Sequence, residues 1–151
     1  MNIHLKMQIQ NETIELTANL TLKACRIYRQ NFSRDLLQDM QNIYKTYNKS
    51  PFEGINFAGM DVEGKSEQEI YAQLLSRVDV TKLSELHTLT GEQTETGYQI
   101  VWAFLKNADP DLPGYEKWTE QFDYILPIGE IITALFDAWN ANAKPTVEIK
   151  N

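Results

Sequence analysis

The chain has 151 residues, 42% apolar and 23% charged, which is the composition of one globular domain with a core of its own. Its single cysteine excludes a disulfide framework within the chain, and Cys25, His4 and His87 lie too far apart in the sequence to predict a structural zinc site. The net charge of −7 at pH 7 argues against a nucleic-acid partner, because such partners select basic domains.

Charge is divided unevenly along the chain. Residues 1–50 hold seven Lys and Arg against four Asp and Glu, net +3, whereas residues 51–151 hold seven against seventeen, net −10. Four basic residues follow one another closely: Lys23, Arg26, Arg29 and Arg34. On a helix the first three share a face. Two interpretations stay open: a solvated face that pairs with the protein's own acidic surface, or a contact between the basic end of one copy and the acidic end of the next, which predicts a homo-oligomer.

The first twenty residues alternate apolar with polar side chains, which predicts a β-hairpin around a Gln10-Asn11-Glu12 turn. The apolar positions are Ile3, Leu5, Met7, Ile9, Ile14, Leu16, Ala18 and Leu20. Period two puts them all on one face. Because a two-stranded hairpin is at best marginally stable alone, that face must lie on helices. The free edges of the hairpin are also a candidate surface for self-assembly.

Helical spacing of apolar residues begins near Thr21 and predicts two helices up to residue 47, with Ser33 capping the second. Residues 48–65 contain one Pro and three Gly, which predicts a long surface loop or a disordered segment. The S-x-x-E box that starts at Ser66 then opens a third predicted helix. Its inward residues would be Ile70, Tyr71, Leu74, Leu75 and Val78.

A short fourth helix is predicted from Thr81 to Thr90, with Gly91 just beyond its end, and a fifth around Trp102. DPDLPG at residues 109–114 is turn chemistry. After it, four apolar residues recur at helical steps: Tyr115, Trp118, Phe122 and Ile125. Pro127 suits the first position of a last helix. Residues 142–151, broken by Pro145, are predicted to be a flexible tail.

The last predicted helix is strongly amphipathic. Its apolar stripe is Ile128, Ile131, Ile132, Leu135, Phe136 and Trp139. This stripe belongs to an apolar segment, residues 125–139, that contains Glu130 and Asp137 and is too short to span a membrane. The stripe must therefore meet either the core or a protein partner. Taken together, the patterns predict a single α+β, mainly α domain over residues 1–151, with an N-terminal antiparallel hairpin followed by about six helices.

No catalytic, cofactor-binding or metal-binding constellation emerges from the sequence. Asn107, Asp109 and Asp111 begin a calcium-loop pattern, but the central Gly and the closing Glu are missing. No nucleophile elbow or phosphate-binding glycine loop is present. The acids around residues 61–69 suit the N-terminus of a helix through its dipole. We therefore predict neither enzyme activity nor a cofactor or metal.

Two stretches carry a family resemblance. IVWAFLKNADPDLPGYEKWTEQFD, residues 100–123, has a W-A-x-x-K-x-A-D-like helix end followed by a Y-E-x-W helix, and FSRDLLQDM, residues 32–40, follows the hairpin. Together they resemble the tail assembly chaperones of siphophages and related prophages of Gram-positive bacteria. Phe32-Ser33 stands where many members have Thr-Gly. The resemblance implies a small cytoplasmic protein of the bacterial host that binds the tape-measure protein, keeps it soluble and helps recruit tail-tube subunits.

The absence of a signal-peptide pattern at the N-terminus agrees with a cytoplasmic location. Within the predicted chaperone, the candidate partner-binding residues are aromatic or aliphatic side chains near the C-terminus: Trp118, Phe122, Ile128, Ile132, Phe136 and Trp139. Their burial in the protein's own core is the competing interpretation. The alternative function is a helical adaptor or a regulatory, antitoxin-like module with one defined protein partner.

Overall fold

The computed structural model describes residues 1–50, 58–78 and 86–143. It confirms the predicted fold class, because an antiparallel two-stranded hairpin is followed by six helices in the described part of the chain. The elements are β1 (Asn2–Ile9), β2 (Glu12–Asn19), α1 (Leu22–Phe32), α2 (Leu36–Tyr47), α3 (Glu67–Ser76), α4 (Gly91–Ala108), α5 (Tyr115–Glu120) and α6 (Ile128–Ala143). None of these helices is long and apolar enough to cross a membrane.

The hairpin closes through two residues rather than the predicted three. Gln10 and Asn11 have φ angles of 50° and 67°, the left-handed pair of a type I′ turn, and Glu12 already pairs with Ile9. The register sets Leu5 opposite Leu16, so the predicted apolar residues do share one face. Leu16 and Ala18 of β2, which packs against α4, are buried, whereas Ile14 and the inward side chains of β1 are only half-buried.

The link between α1 and α2 differs from the prediction. Ser33 does not cap α2; it ends α1 in the left-handed conformation, with φ 56°, and its N–H donates to the Arg29 carbonyl. The N-cap of α2 is Asp35, whose side chain accepts a hydrogen bond from the Gln38 N–H. Glycine adopts the left-handed conformation most readily. A Gly in place of Ser33 would therefore suit the same turn.

A polar network fastens this link to the core. Tyr28, fully buried, donates to Asp39 Oδ2 at 2.6 Å, and Arg34 Nε donates to the same oxygen at 3.0 Å. Arg34 Nη2 also donates to the Tyr28 hydroxyl at 3.2 Å and to the side-chain oxygen of Gln99 on α4. Burial, reinforced by the hydrogen bond to Asp39, raises the pKa of the Tyr28 hydroxyl. The phenol thus remains a neutral donor that joins α1 to α2.

The core is built around α4, which contacts α1, β2, α2, α5 and α6. Its residues 100–105 are all buried. Two glycines allow the helices to approach closely. A Cβ on Gly97 would lie 2.1 Å from Ile128 Cγ2, and one on Gly129 would lie 2.2 Å from the Tyr47 ring. These positions have no room for a side chain, and this explains why both residues are glycine.

The predicted third helix exists, but its predicted inward face is wrong. Ser66 caps it by accepting from the Glu69 N–H, yet no residue of α3 is buried. Tyr71 and Leu75 are 53% and 40% exposed, and only Val78, just after the helix, is buried. The described parts of the predicted loop, residues 48–50 and 58–65, contain turns and irregular structure.

Two further boundaries need correction. Residues 86–90 are not helical, and Thr90 is the N-cap of α4 in a capping box with Gln93, so Gly91 starts a helix instead of following one. The rest of the predicted Thr81–Thr90 helix lies outside the described residues. Helix α5 ends at Glu120, and Ile125, beyond it, is 77% exposed. Helix α6 begins one residue after Pro127 and extends to Ala143, so the first two residues of the tail predicted over residues 142–151 are helical; the rest of that tail lies outside the described residues.

Candidate partner-binding surface

The polar residues at the end of α4 hold the turn that follows it. Lys106 Nζ donates to the carbonyls of Pro110 and Leu112 at 2.7 and 2.5 Å, and the Trp102 indole donates to the Pro113 carbonyl at 3.0 Å. These carbonyls lie in a proline-rich turn that forms few backbone hydrogen bonds of its own. The Trp and Lys of the W-A-x-x-K stretch therefore have structural roles.

Asn107 joins the same helix end to the hairpin. Its side-chain amide donates to the Asn19 carbonyl and to Thr21 Oγ1, both at 2.8 Å, and the residue is buried. Asp109 Oδ1 accepts from the Asp111 N–H at 3.0 Å, which is a turn contact. In the described residues, no group of three or more Cys, His, Asp or Glu side chains is placed to hold a metal ion.

An aromatic cluster occupies the space between α1, α4 and α5. We define it as Phe32, Tyr98, Trp102, Tyr115, Trp118 and Phe122. Phe32 lies at the α1 end, with ring centroids 5.3 Å from Tyr115 and 5.8 Å from Trp102. Most of the contacts are edge-to-face, the arrangement that the quadrupoles of aromatic rings favour. The resembling stretch, residues 100–123, thus supplies four of the six rings.

Beside this cluster an open groove of about 610 Å³ runs between α1, α4 and α5. We call it the α4/α5 groove; its lining residues are Asn31, Phe32, Glu95, Gln99, Gly114, Tyr115, Glu116 and Lys117. Phe32 and Tyr115 are half-buried and give it apolar surface. Burial raises the pKa of the Tyr115 hydroxyl, which therefore stays neutral and points a donor at the Glu95 carbonyl, 3.5 Å away.

The charges of the groove are not neutralised by the rest of the described chain. Glu95 and Glu116 are exposed, and the ion pairs within the described residues are Arg34 with Asp39 and Lys65 with Glu69. Two carboxylates and one ammonium, that of Lys117, leave the groove net acidic. Apolar rings flanked by unpaired carboxylates suit an amphipathic segment with Lys or Arg beside its apolar residues.

The basic side of the molecule is likewise unpaired. Lys23, Arg26 and Arg29 are exposed on α1 and take part in no ion pair with the described residues. Arg34, the fourth member of the predicted run, is instead held by Asp39 and Tyr28. Pairing of the basic face with the protein's own acidic surface is therefore not observed in this part of the chain. Contact between copies stays a prediction.

The predicted partner-binding residues separate by burial. Trp118, Ile128 and Ile132 are 2%, 3% and 0% exposed, so they form core and offer a partner no surface. The other three are half-buried and contact other rings: Phe122 on Trp118 at 5.0 Å, Phe136 on Tyr44 at 4.4 Å and Trp139 on Phe104 at 6.1 Å. The apolar stripe of α6 was predicted to meet either the core or a protein partner, and most of its residues are buried in the core.

Sequence reasoning did not identify the residues that form the α4/α5 groove. Glu95 and Gln99 lie on the polar side of α4, and Asn31 and Phe32 come from the end of α1, about sixty residues away along the chain. Phe32 and residues 114–117 lie in the two stretches that carry the family resemblance, but none of them was predicted to bind a partner. Surface polar residues carry no periodic signal, so a groove between three elements is not evident before the fold is known.

Comparison of the chain with protein-family models, with curated proteins and with solved structures gave no match.

Proposed function

We propose that the protein is a non-enzymatic tail assembly chaperone, which binds a phage tape-measure protein and keeps it soluble in the bacterial cytoplasm. Recruitment of tail-tube subunits belongs to the same proposal. The observation that supports it is that the two stretches with the family resemblance meet at the acidic, ring-containing α4/α5 groove, to which one contributes Phe32 and the other residues 114–117. We assign partner binding to this groove rather than to the stripe of α6.

The groove suits a chaperone's task because it combines a small apolar surface with exposed charges. Tape-measure proteins are long and helical, and their apolar stripes would aggregate if left in water. The half-buried faces of Phe32 and Tyr115 can cover apolar side chains of such a helix, while Glu95 and Glu116 attract adjacent Lys or Arg. Solvent-exposed charge pairs contribute little each, which allows release when the tail assembles.

Co-expression with the tape-measure protein tests the proposal. Glu95→Lys combined with Glu116→Lys should reduce the co-purified tape-measure protein at least about tenfold and return it to the pellet, because like charges would now oppose the basic partner. The matched control is Glu92→Lys with Glu120→Lys, which changes the same charges at exposed sites on the same two helices outside the groove. Equal capture by both variants would contradict the assignment of the groove.

Gene order provides a separate test of the function. A tail assembly chaperone is expected immediately upstream of a long gene for a tape-measure protein, whose product should be rich in apolar helix. A gene neighbourhood without tail genes would instead support the adaptor or regulatory alternative. This observation is independent of the groove, so it separates an incorrect function from an incorrect binding site.

A further inference from the structure

The outer edge of β1 carries unpaired backbone groups. Since the two-residue turn makes Ile9 and Glu12 a hydrogen-bonded pair, alternation directs the N–H and C=O groups of Ile3, Leu5, Met7 and Ile9 towards β2. The groups that point away belong to the alternate residues: Asn2, His4, Lys6 and Gln8. Among the described residues, nothing outside the hairpin forms a hydrogen bond to these outward backbone groups.

This edge lacks most of the features by which proteins prevent strand pairing. β1 has eight residues without proline, glycine or bulge, and its register with β2 is uninterrupted. Its one charged residue is Lys6, which lies on the polar face of the hairpin. Edge strands that must stay single are usually short, bulged, or blocked by proline, by an inward-pointing charge or by charged side chains such as lysine, and of these β1 has the single Lys6. The β1 edge is therefore able to accept another strand.

The apolar face is incomplete at the same place. The inward residues of β1 remain half-exposed, while Leu16, Ala18 and Leu20 of the neighbouring chain segment are buried. A groove of about 170 Å³ separates β1 from α6, and its apolar lining is Leu5, Met7, Pro127, Ile131 and Ala134. A strand added to the edge of β1 would place its own inward side chains beside this lining and extend the core face.

We propose that the strand added there is β1 of a second copy, which pairs antiparallel about a two-fold axis with Leu5 opposite the Leu5 of the second copy. This register uses every outward residue, because Asn2 then pairs with Gln8 and His4 with Lys6. Each such pair exchanges two backbone hydrogen bonds, which gives about eight in all. The product is a four-stranded sheet with the order β2, β1, β1, β2.

Self-complementarity is the reason for choosing a second copy over an unrelated strand. On the apolar face Ile3 meets Met7 and Leu5 meets its own copy, so apolar residues oppose apolar residues throughout. Shifting the register by one pair of residues would set Lys6 opposite its own copy, which like-charge repulsion disfavours, and would leave Asn2 without a partner. The contact is isologous, the commonest type in homo-oligomers, and it does not depend on the proposed function.

Disulfide cross-linking tests both the contact and its register. Leu5→Cys should give a covalent dimer on mild oxidation, since residues opposite each other in a non-hydrogen-bonded pair have Cα atoms about 4.5 Å apart, within disulfide range. Met7→Cys is the matched control, because the two copies of residue 7 would lie about 13 Å apart. The native Cys25 is buried and should not cross-link, which the unmodified chain checks.

Sedimentation measurements of the whole chain provide a second test. Lys6→Pro removes one outward N–H without removing a bond within the hairpin, and it should raise the dimer dissociation constant at least tenfold. Lys6→Ala keeps the N–H and should retain the dimer. Circular dichroism verifies that each variant is folded; if Lys6→Pro is not, the cysteine pair decides. A monomeric wild type, or equal cross-linking at positions 5 and 7, overturns the proposal. So does an oligomer that persists in folded Lys6→Pro.

Discussion

Two helices with similar sequence patterns differ in burial: one lies in the core of this protein and the other on its surface. Both α3 and α6 place apolar residues at steps of three and four, and both are preceded by a clear start signal. In α6, Ile132 and Leu135 are completely buried. In α3 no residue is buried, although Leu74 and Leu75 stand at the positions that an inward stripe would use. An amphipathic pattern thus predicts a helix in both cases, but burial in only one.

The difference lies in what surrounds each helix. Gly129 lets α6 approach Tyr47 of α2, and Gly97 of α4 accepts Ile128 from the other side, so α6 is enclosed by its neighbours. Helix α3 has no such close approach among the described residues; there the Gln73 amide exchanges hydrogen bonds with the backbone of Asp61 at 2.7 and 3.2 Å. Close backbone approach, rather than the apolar pattern alone, accompanies burial.

A charge introduced at equivalent positions of the two helices should reveal this contrast most strongly. Ile132→Asp buries a carboxylate in the core and should cost more than about 4 kcal/mol, enough to unfold most domains of this size. Leu75→Asp, at a site 40% exposed, should cost less than about 1 kcal/mol. Urea unfolding followed by circular dichroism measures both. If the two variants lose similar stability, the proposed difference between the helices is incorrect.

Adding one methyl group at the close approaches should have the next largest effect. Gly97→Ala and Gly129→Ala should each cost about 1–3 kcal/mol, because Ile128 and the Tyr47 ring must move. Gly91→Ala is the control: it lies at the exposed start of α4 with nothing within 4 Å of the added Cβ. This change should be neutral or stabilise slightly. Thermal unfolding tests the set, and a loss at Gly91 equal to the other two would rule out steric crowding as the cause.

Removing a side-chain amide should also cost more stability in the buried part of the protein than at α3. Asn107→Ala leaves the half-buried Asn19 carbonyl and Thr21 hydroxyl without their donor and should cost about 1–3 kcal/mol. Gln73→Ala removes two exposed hydrogen bonds, which water can replace, and should cost less than about 0.5 kcal/mol of global stability. Chemical denaturation compares them directly. An equal loss of global stability in the two variants would mean that α3 unfolds cooperatively with the core.

Local periodicity was sufficient to predict the fold class. The apolar face of the hairpin and the apolar stripe of α6 could be predicted because their apolar residues recur at the regular spacing of a strand and of a helix. The status of Ser33 and Thr90 could not, since Ser and Thr are compatible with either end of a helix, and only the φ angle of Ser33 and the capping box of Thr90 decide. The groove was missed because Phe32 and Tyr115 meet only through packing of α1 on α4.

The smallest expected effect concerns the helix caps, because the same type of hydrogen bond starts the exposed helix α3 and the buried helix α4. Thr90 accepts from the Gln93 N–H at 3.1 Å, and Ser66 accepts from the Glu69 N–H at 3.2 Å. Loss of such a cap costs about 1 kcal/mol for the helix that it starts. Thr90→Ala should lower the global free energy of unfolding by about that amount, since the end of α4 is continuous with the core.

Ser66→Ala should leave global stability nearly unchanged and should instead speed amide hydrogen exchange within residues 67–76, because no residue of α3 is buried and the helix can unfold locally. Exchange measured by mass spectrometry, beside denaturation of both variants, separates the two effects. The expected pattern is a shifted denaturation midpoint for Thr90→Ala alone and faster local exchange for Ser66→Ala alone. A global loss for Ser66→Ala as large as that for Thr90→Ala would show that α3 folds and unfolds together with the core, and the exposure of its side chains would then need another explanation.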